Sequence, residues 1–328
     1  MRFLLTDEQR EFARSLDTML SAADTPAAVR AWAGGDHAPG RALWSRLADA
    51  GVFALAVPEE HEGVGPLPVE LAVAYTALGR HAVPGPVVET AAAAVLLAAL
   101  GDAGLALAKE RLPSLASGRR VASLGLGAYA LDADSADALF VVRGDELRLT
   151  AEPGPPRAST DPARRMFSPS DGGELLASGP AVREAAARAT DWAAFLTAAQ
   201  SLGVGEALLA QTVAYVKQRT QFGAPIGSFQ AVKHRLADTL IGLEFARPLL
   251  HGAALALGAG SPRAGAQVAA AKVAAGEAAY AAARAALQLH GALGYTQELD
   301  LSLWLRKARP LRDAWGTPSE CRRRVLAD

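Results

Sequence analysis

Two glycine turns frame the C-terminal part of the chain and restrict what it can become. Arg219-Thr220-Gln221-Phe222-Gly223 runs on to Phe229-Gln230, and Gln288-Leu289-His290-Gly291-Ala292-Leu293-Gly294 closes a long alanine-rich stretch. Alanine at this density lets helix backbones pack closely, as in a helical bundle. Ser261-Pro262 reads as N-cap and first residue of the helix that ends near His290-Gly291. Arg219 beside the first turn offers a planar fork of donors suited to a pyrophosphate. Glycine at both turns lets backbone approach a ligand where a Cβ would clash. Together the two turns suit a nucleotide held between helices.

Upstream the texture changes twice. Residues 1–118 read as helices broken by Gly/Pro loops: Thr6 and Gln9 form a capping box, with Phe12, Leu16 and Leu20 on one helix face. Leu47–Gly65 runs from a helix end through an apolar segment into Pro58–Gly65. Helices are expected from Pro68 to about Arg80 and from Val87 to Leu100. Residues 119–180 read as a short β domain, because Ala138–Val142, Gly144-Asp145 and Glu146–Thr150 spell apolar run, turn and alternating run. Residues 181–328 are helical again, and Gly203-Val204-Gly205 within them reads as close helix packing.

Composition excludes several classes. Hydrophobic residues make up 51% and charged residues 20% of the 328, enough for a large core. A net charge of −1 gives no bias toward nucleic acid or an anionic membrane. One cysteine, Cys321, cannot build an internal disulfide framework and fits a reducing compartment. No asparagine is present to accept N-glycosylation. Asp7, Glu8, Glu11 and Asp17 occupy the place of a signal peptide's apolar core. Ala91–Leu100, bounded by Glu89 and Asp102, is too short for a membrane span and reads as a buried helix. The expectation is a cytoplasmic protein with no membrane and no nucleic-acid partner. Glu59-Glu60-His61-Glu62 lacks the i, i+4 ligand pair of a helical metal site and reads as a loop. Gly125-Leu126-Gly127 lacks the third glycine of a dinucleotide fingerprint.

In order and spacing, these segments resemble the acyl-CoA dehydrogenase family. Gly51–Glu60 with Gly63–Gly65 looks like the family's N-terminal Pro-Glu-Glu element. Gln218–Gly223, Phe229-Gln230, Leu236-Ala237-Asp238, Ala271-Lys272, Gln288–Tyr295, Arg306, Gly316-Thr317 and Arg322 resemble its C-terminal domain. The resemblance implies a mainly α fold with a small β domain: an N-terminal helical domain, a middle β domain and a C-terminal four-helix bundle. It also implies that Arg219, Phe222, Gln230, Gln288, Gly291 and Gly294 grip the ADP half of FAD across a dimer interface, with Thr317 facing the flavin. The implied reaction is α,β-dehydrogenation of an acyl-CoA thioester. A carboxylate takes the α-proton, flavin accepts the β-hydride, and electrons pass to an electron-transfer flavoprotein.

The chain departs from the family at the base. That chemistry needs a desolvated glutamate. One family position for it immediately precedes the Gly-Thr, where this chain has Trp315. The other falls near Ala193, with Asp191 the carboxylate close by; Asp313 and Glu320 are further substitutes, each also readable as a solvated surface acid. Gly125–Asp132 replaces the family's flavin-lining loop, and no tryptophan occurs between Trp44 and Trp192. His290 reads as a packed or capping residue at a helix end. The pattern is similar to a branch whose two different subunits assemble as α2β2, one supplying the base. The expectation is a subunit that depends on such a partner. A self-sufficient divergent enzyme, and a scaffold subunit that has lost FAD, are the alternatives. Homo- or hetero-oligomer is left open, as is the acyl chain.

Overall fold

Capping and punctuation residues cut the chain into helices across Leu4–Ala327, the residues described by the computed structural model. Helix α1 (Asp7–Ser21) opens on the expected box: Thr6 N donates to Gln9 Oε1 at 2.9 Å and Gln9 N donates to Thr6 Oγ1 at 3.2 Å. Then follow α2 (Thr25–Ala33), α3 (Ala38–Asp49), α4 (Pro68–Arg80), α5 (Val87–Asp102) and α6 (Leu107–Ala116). Between α3 and α4 the Pro58–Gly65 segment doubles back tightly. A Cβ on Gly63 would fall 1.9 Å from Val57 O, and one on Gly65 2.0 Å from Leu55 O. α5 is apolar on all sides and buried along most of its length, as its uninterrupted Ala/Val/Leu run requires.

The β region contains more strands than its sequence announces: β1 (Ala122–Gly125), β2 (Ala130–Leu131), β3 (Ala138–Arg143), β4 (Glu146–Thr150), β5 (Pro156–Arg157), β6 (Met166–Phe167) and β7 (Glu174–Ser178). The expected hairpin is β3–β4, antiparallel from Leu139↔Thr150 to Arg143↔Glu146, with Gly144 at φ 62° in its turn. One sheet has the order β1-β3-β4-β7 and the other β2-β6-β5. Leu139 and Val141, two apart on β3, pack with Ala130, Ala133 and Phe167. The edge of β1 is covered by α5, where Thr90 Oγ1 donates to Ala122 O at 2.7 Å and accepts from Ala122 N at 3.1 Å.

Five further α-helices follow among the described residues: α7 (Pro180–Gln218), α8 (Gln230–Gly258), α9 (Ala264–His290), α10 (Leu301–Asp313) and α11 (Pro318–Ala327). Gly203 is where α7 meets α4, since a Cβ there would sit 1.9 Å from Thr76 O. On Gly205 a Cβ would sit 2.5 Å from Leu243 Cδ2, a contact of α7 with α8. Close packing is thus the role of this glycine pair. The Ser261-Pro262 start signal is corrected by two residues. Ser261 Oγ accepts from Arg263 N and its carbonyl from Ala264 N, a serine turn that delays the helix to Ala264.

The chain divides into two compact units. One comprises the residues up to Asp17, Ala72–Ala82, and everything from Thr197 onward; the other comprises Thr18–Leu71 and Val83–Leu196. By length and composition α7 and α8 are long and apolar enough to cross a membrane, although α7's apolar stretch is mostly buried inside the protein. α8 instead exposes Leu240, Ile241, Phe245 and Leu249.

Candidate functional site

The first turn is a miniature hairpin. α7 ends at Gln218, and two-residue strands β8 (Thr220–Gln221) and β9 (Ala224–Pro225) pair antiparallel across Phe222-Gly223. Both loop residues have positive φ, 54° and 77°, the geometry a two-residue hairpin demands. Glycine adopts it freely, but a phenylalanine in that region is strained. The Phe222 side chain is also 95% exposed, meeting Phe229 edge-on with ring centroids 6.3 Å apart. Arg219, immediately before β8, is exposed and forms no ion pair with a carboxylate among the described residues. Gln230 is the first residue of α8, whose N-cap, Phe229, gives no side-chain bond to the helix amides. Val232 N and Lys233 N donate to Phe229 O, each at 3.1 Å, so the positive end of the helix is presented by the amides of Gln230 and Ala231.

The second turn follows from glycine at Gly291, whose φ 58°, ψ −135° is closed to L side chains. Gly294 is tightly packed: a Cβ there would lie 3.1 Å from both Leu287 Cδ1 and Leu287 O. His290, the last residue of α9, places Nδ1 2.8 Å from Ala286 O and stacks on Tyr215 with centroids 4.1 Å apart. Burial holds its pKa below the usual histidine range, so this is the packed histidine the sequence favours. Tyr215 O in turn accepts from Arg219 N at 2.9 Å. The two turns are therefore tied together through Tyr215 and His290.

Gln288 lines a cleft of about 300 Å³ with Arg235, Ala281, Arg284, Leu287 and Tyr295. Arg219, Phe222 and Gln230 do not line it. Sequence reasoning missed Arg235 and Arg284, which lie on different helices and belong to no turn.

The Trp315–Thr317 segment is fixed from beneath by Lys272. This lysine is buried, and its Nζ donates to Leu311 O and Arg312 O, each at 2.9 Å, and to Gly316 O at 3.4 Å. It thereby caps the carboxyl end of α10. Trp315 itself has φ 57° and is partly exposed. Thr317, just before α11, caps it with a capping box: its N donates to Glu320 Oε2 at 2.8 Å and its hydroxyl to the same oxygen at 2.7 Å. Those bonds push the Glu320 pKa down, the wrong direction for a base. Asp313 is paired with Arg309 and lies 3.7 Å from Arg312 Nη1. Arg322 donates to both oxygens of Glu277 at 2.7 Å. Asp191 is half-buried on α7.

A carboxyl pushed far up does exist elsewhere. Asp132 is buried, and burial raises its pKa to about 7. Trp32 Nε1 donates to Asp132 Oδ1 at 3.0 Å and Arg165 N donates to it at 3.1 Å, which makes the group a strut of the β region.

Arginine and glutamine side chains thus stand at two tight turns, and Arg219 forms no ion pair with a carboxylate among the described residues, a donor set suited to an anionic ligand. Two family models match the chain: the acyl-CoA dehydrogenase N-terminal domain over residues 6–119 and the acyl-CoA dehydrogenase C-terminal domain over residues 183–328. Acyl-CoA dehydrogenase IpdE2 of Mycobacterium tuberculosis is 36% identical over 98% of this chain and 97% of its own. Acyl-CoA dehydrogenase FadE34 of the same organism is 33% identical over 98% of this chain, but only 48% of its own. The solved ChsE4-ChsE5 complex of M. tuberculosis superposes with a TM-score of 0.81 at 26% identity, over 100% of this chain and 98% of the matched one. The chain belongs to the acyl-CoA dehydrogenase family, flavin-dependent oxidoreductases that act on acyl-CoA thioesters.

Proposed function

We propose that this chain is the nucleotide-gripping subunit of a heteromeric acyl-CoA dehydrogenase and that a partner chain contributes the catalytic base. The observation that carries the reading is a contrast. Arg219, Gln230 and Gln288 leave their donors open, whereas the position before Gly316-Thr317 holds Trp315 and its neighbouring acids are engaged. Two relatives support it. One matched structure is a complex of two named chains, and FadE34 has as much sequence again beyond the matched region, room for a second unit of this size.

The donor set fits FAD. Arg219 and Gln288 would hold the pyrophosphate, Phe222 would cover the adenosine, and the amides at the start of α8 add positive potential. FAD, when bound, supplies the hydride acceptor for α,β-dehydrogenation of an acyl-CoA thioester. An electron-transfer flavoprotein then serves as the electron acceptor. The exposed Leu240, Ile241, Phe245 and Leu249 on α8 form an apolar face suited to another subunit.

Flavin content is the test of the grip. Arg219→Ala is expected to purify with the helical content of wild type and a markedly lower FAD-to-protein ratio. Equal occupancy in the two proteins would remove Arg219 from the site.

A further inference from the structure

The cleft beside Gln288 holds an electrostatic imbalance. Arg235 enters it from α8 and Arg284 from α9; neither forms an ion pair with a carboxylate among the described residues. Two guanidinium groups lining one concavity repel each other unless an anion sits with them. Glutamate or aspartate is the usual neutraliser, but the remaining lining residues are Ala281, Leu287, Gln288 and Tyr295. Ala281, Arg284 and Gln288 lie on one face of α9, at spacings of three and four residues.

We infer that Arg235 and Arg284 form a second cationic clamp, separate from Arg219, that binds a phosphoryl group of the adenine nucleotide end of FAD. The inference rests on the FAD reading above and assigns two residues that reading does not include. A single carboxylate would be satisfied by one bidentate arginine. Two forks from different helices, with the Gln288 amide and Tyr295 hydroxyl beside them, match a ligand with several acceptor oxygens. Ala281 and Leu287 add an apolar wall, which a bare inorganic ion would not use and a nucleotide would. Both arginines are exposed, so replacing them leaves the core untouched.

The experiment titrates the full-length chain, stripped of flavin, with FAD and with FMN, following flavin fluorescence. Inorganic pyrophosphate is titrated in parallel by calorimetry. The variants are Arg235→Gln/Arg284→Gln, made together, and Arg219→Ala. The double variant is expected to weaken FAD about tenfold or more, the loss of at least one charge-assisted hydrogen bond. It should leave FMN, which lacks the adenylate, unchanged, with an unaltered melting temperature. If FAD binds the double variant as tightly as wild type while Arg219→Ala weakens it, the clamp is overturned and the FAD reading stands. If wild type binds no FAD, that reading fails and pyrophosphate decides. Binding that the double variant abolishes would keep the cleft as a phosphoryl site; no pyrophosphate binding would overturn it.

Discussion

Asp132→Asn isolates one buried acid and turns its environment into a measurable slope. The carboxyl sits in the β region at φ 51°, with Trp32 Nε1 and Arg165 N both donating to Oδ1, while Oδ2 has no hydrogen-bond partner. Burial is the main force on it. The Trp32 hydrogen bond opposes that force, Glu89 on α5 adds repulsion, and Arg164 and the Arg165 amide pull the other way. The folded pKa is about 7 against an ordinary 3.8. Because the folded value is the higher one, the unfolded chain releases its proton first as pH rises. Stability from this group is therefore complete below about pH 4, falls between pH 4 and 7, and is lost above. Three pH units at about 1.4 kcal/mol each give a total of about 4 kcal/mol. Asparagine keeps the Oδ1 acceptor but cannot ionise, and its amide buries two N–H donors where the protonated acid buries one O–H on the unpartnered Oδ2, a further unsatisfied donor costing about 1–3 kcal/mol at low pH. Urea denaturation of both proteins from pH 4 to pH 8 reads the difference directly. Asp132→Asn is expected to be the weaker protein at pH 4 and to gain on wild type by about 1.4 kcal/mol per pH unit, levelling off near pH 7. A difference independent of pH would refute the reasoning, because an Asp132 that ionises freely in the fold gives no slope.

Two other perturbations follow from single contacts. Lys272→Met keeps the stem but strips the carbonyls of Leu311, Arg312 and Gly316 of their donor. It is expected to cost about 2–5 kcal/mol and to shift the fluorescence of the tryptophan in the released 315–317 segment, both checked by denaturation followed through tryptophan emission. Phe245 on α8 is 73% exposed. Phe245→Glu is expected to lower the mass measured by light scattering without detergent while leaving the melting temperature of the isolated subunit unchanged. An unaltered assembly would place subunit contact elsewhere.

What was legible in the sequence followed from range. Capping boxes, proline starts and the Gly144-Asp145 turn act over a few residues, so α1, α4, α5 and the β3–β4 hairpin stand where local chemistry puts them. The glycine turns at Gly223 and Gly291 were legible for the same reason. The pairs β2–β6 and β5–β6 were not, because two-residue strands exist only through their partners. Nothing around Asp132 in the sequence announces Trp32, a hundred residues earlier, as its donor. Arg235 and Arg284 likewise read as ordinary solvated helix charges until the packing of α8 on α9 brings them to one cleft. Thr317 shows the opposite case. Its motif is local and legible, yet its hydroxyl proves to be committed to Glu320.

The division between grip and base is tested most directly by anaerobic titration with a panel of acyl-CoA thioesters while the flavin absorbance is recorded. The purified chain alone is compared with the chain co-expressed with a second acyl-CoA dehydrogenase subunit that carries the glutamate. The account expects flavin bound both in the chain alone and in the pair, and bleached by substrate only in the pair. Full bleaching and turnover by this chain alone, with Trp315 in the base position, would contradict it.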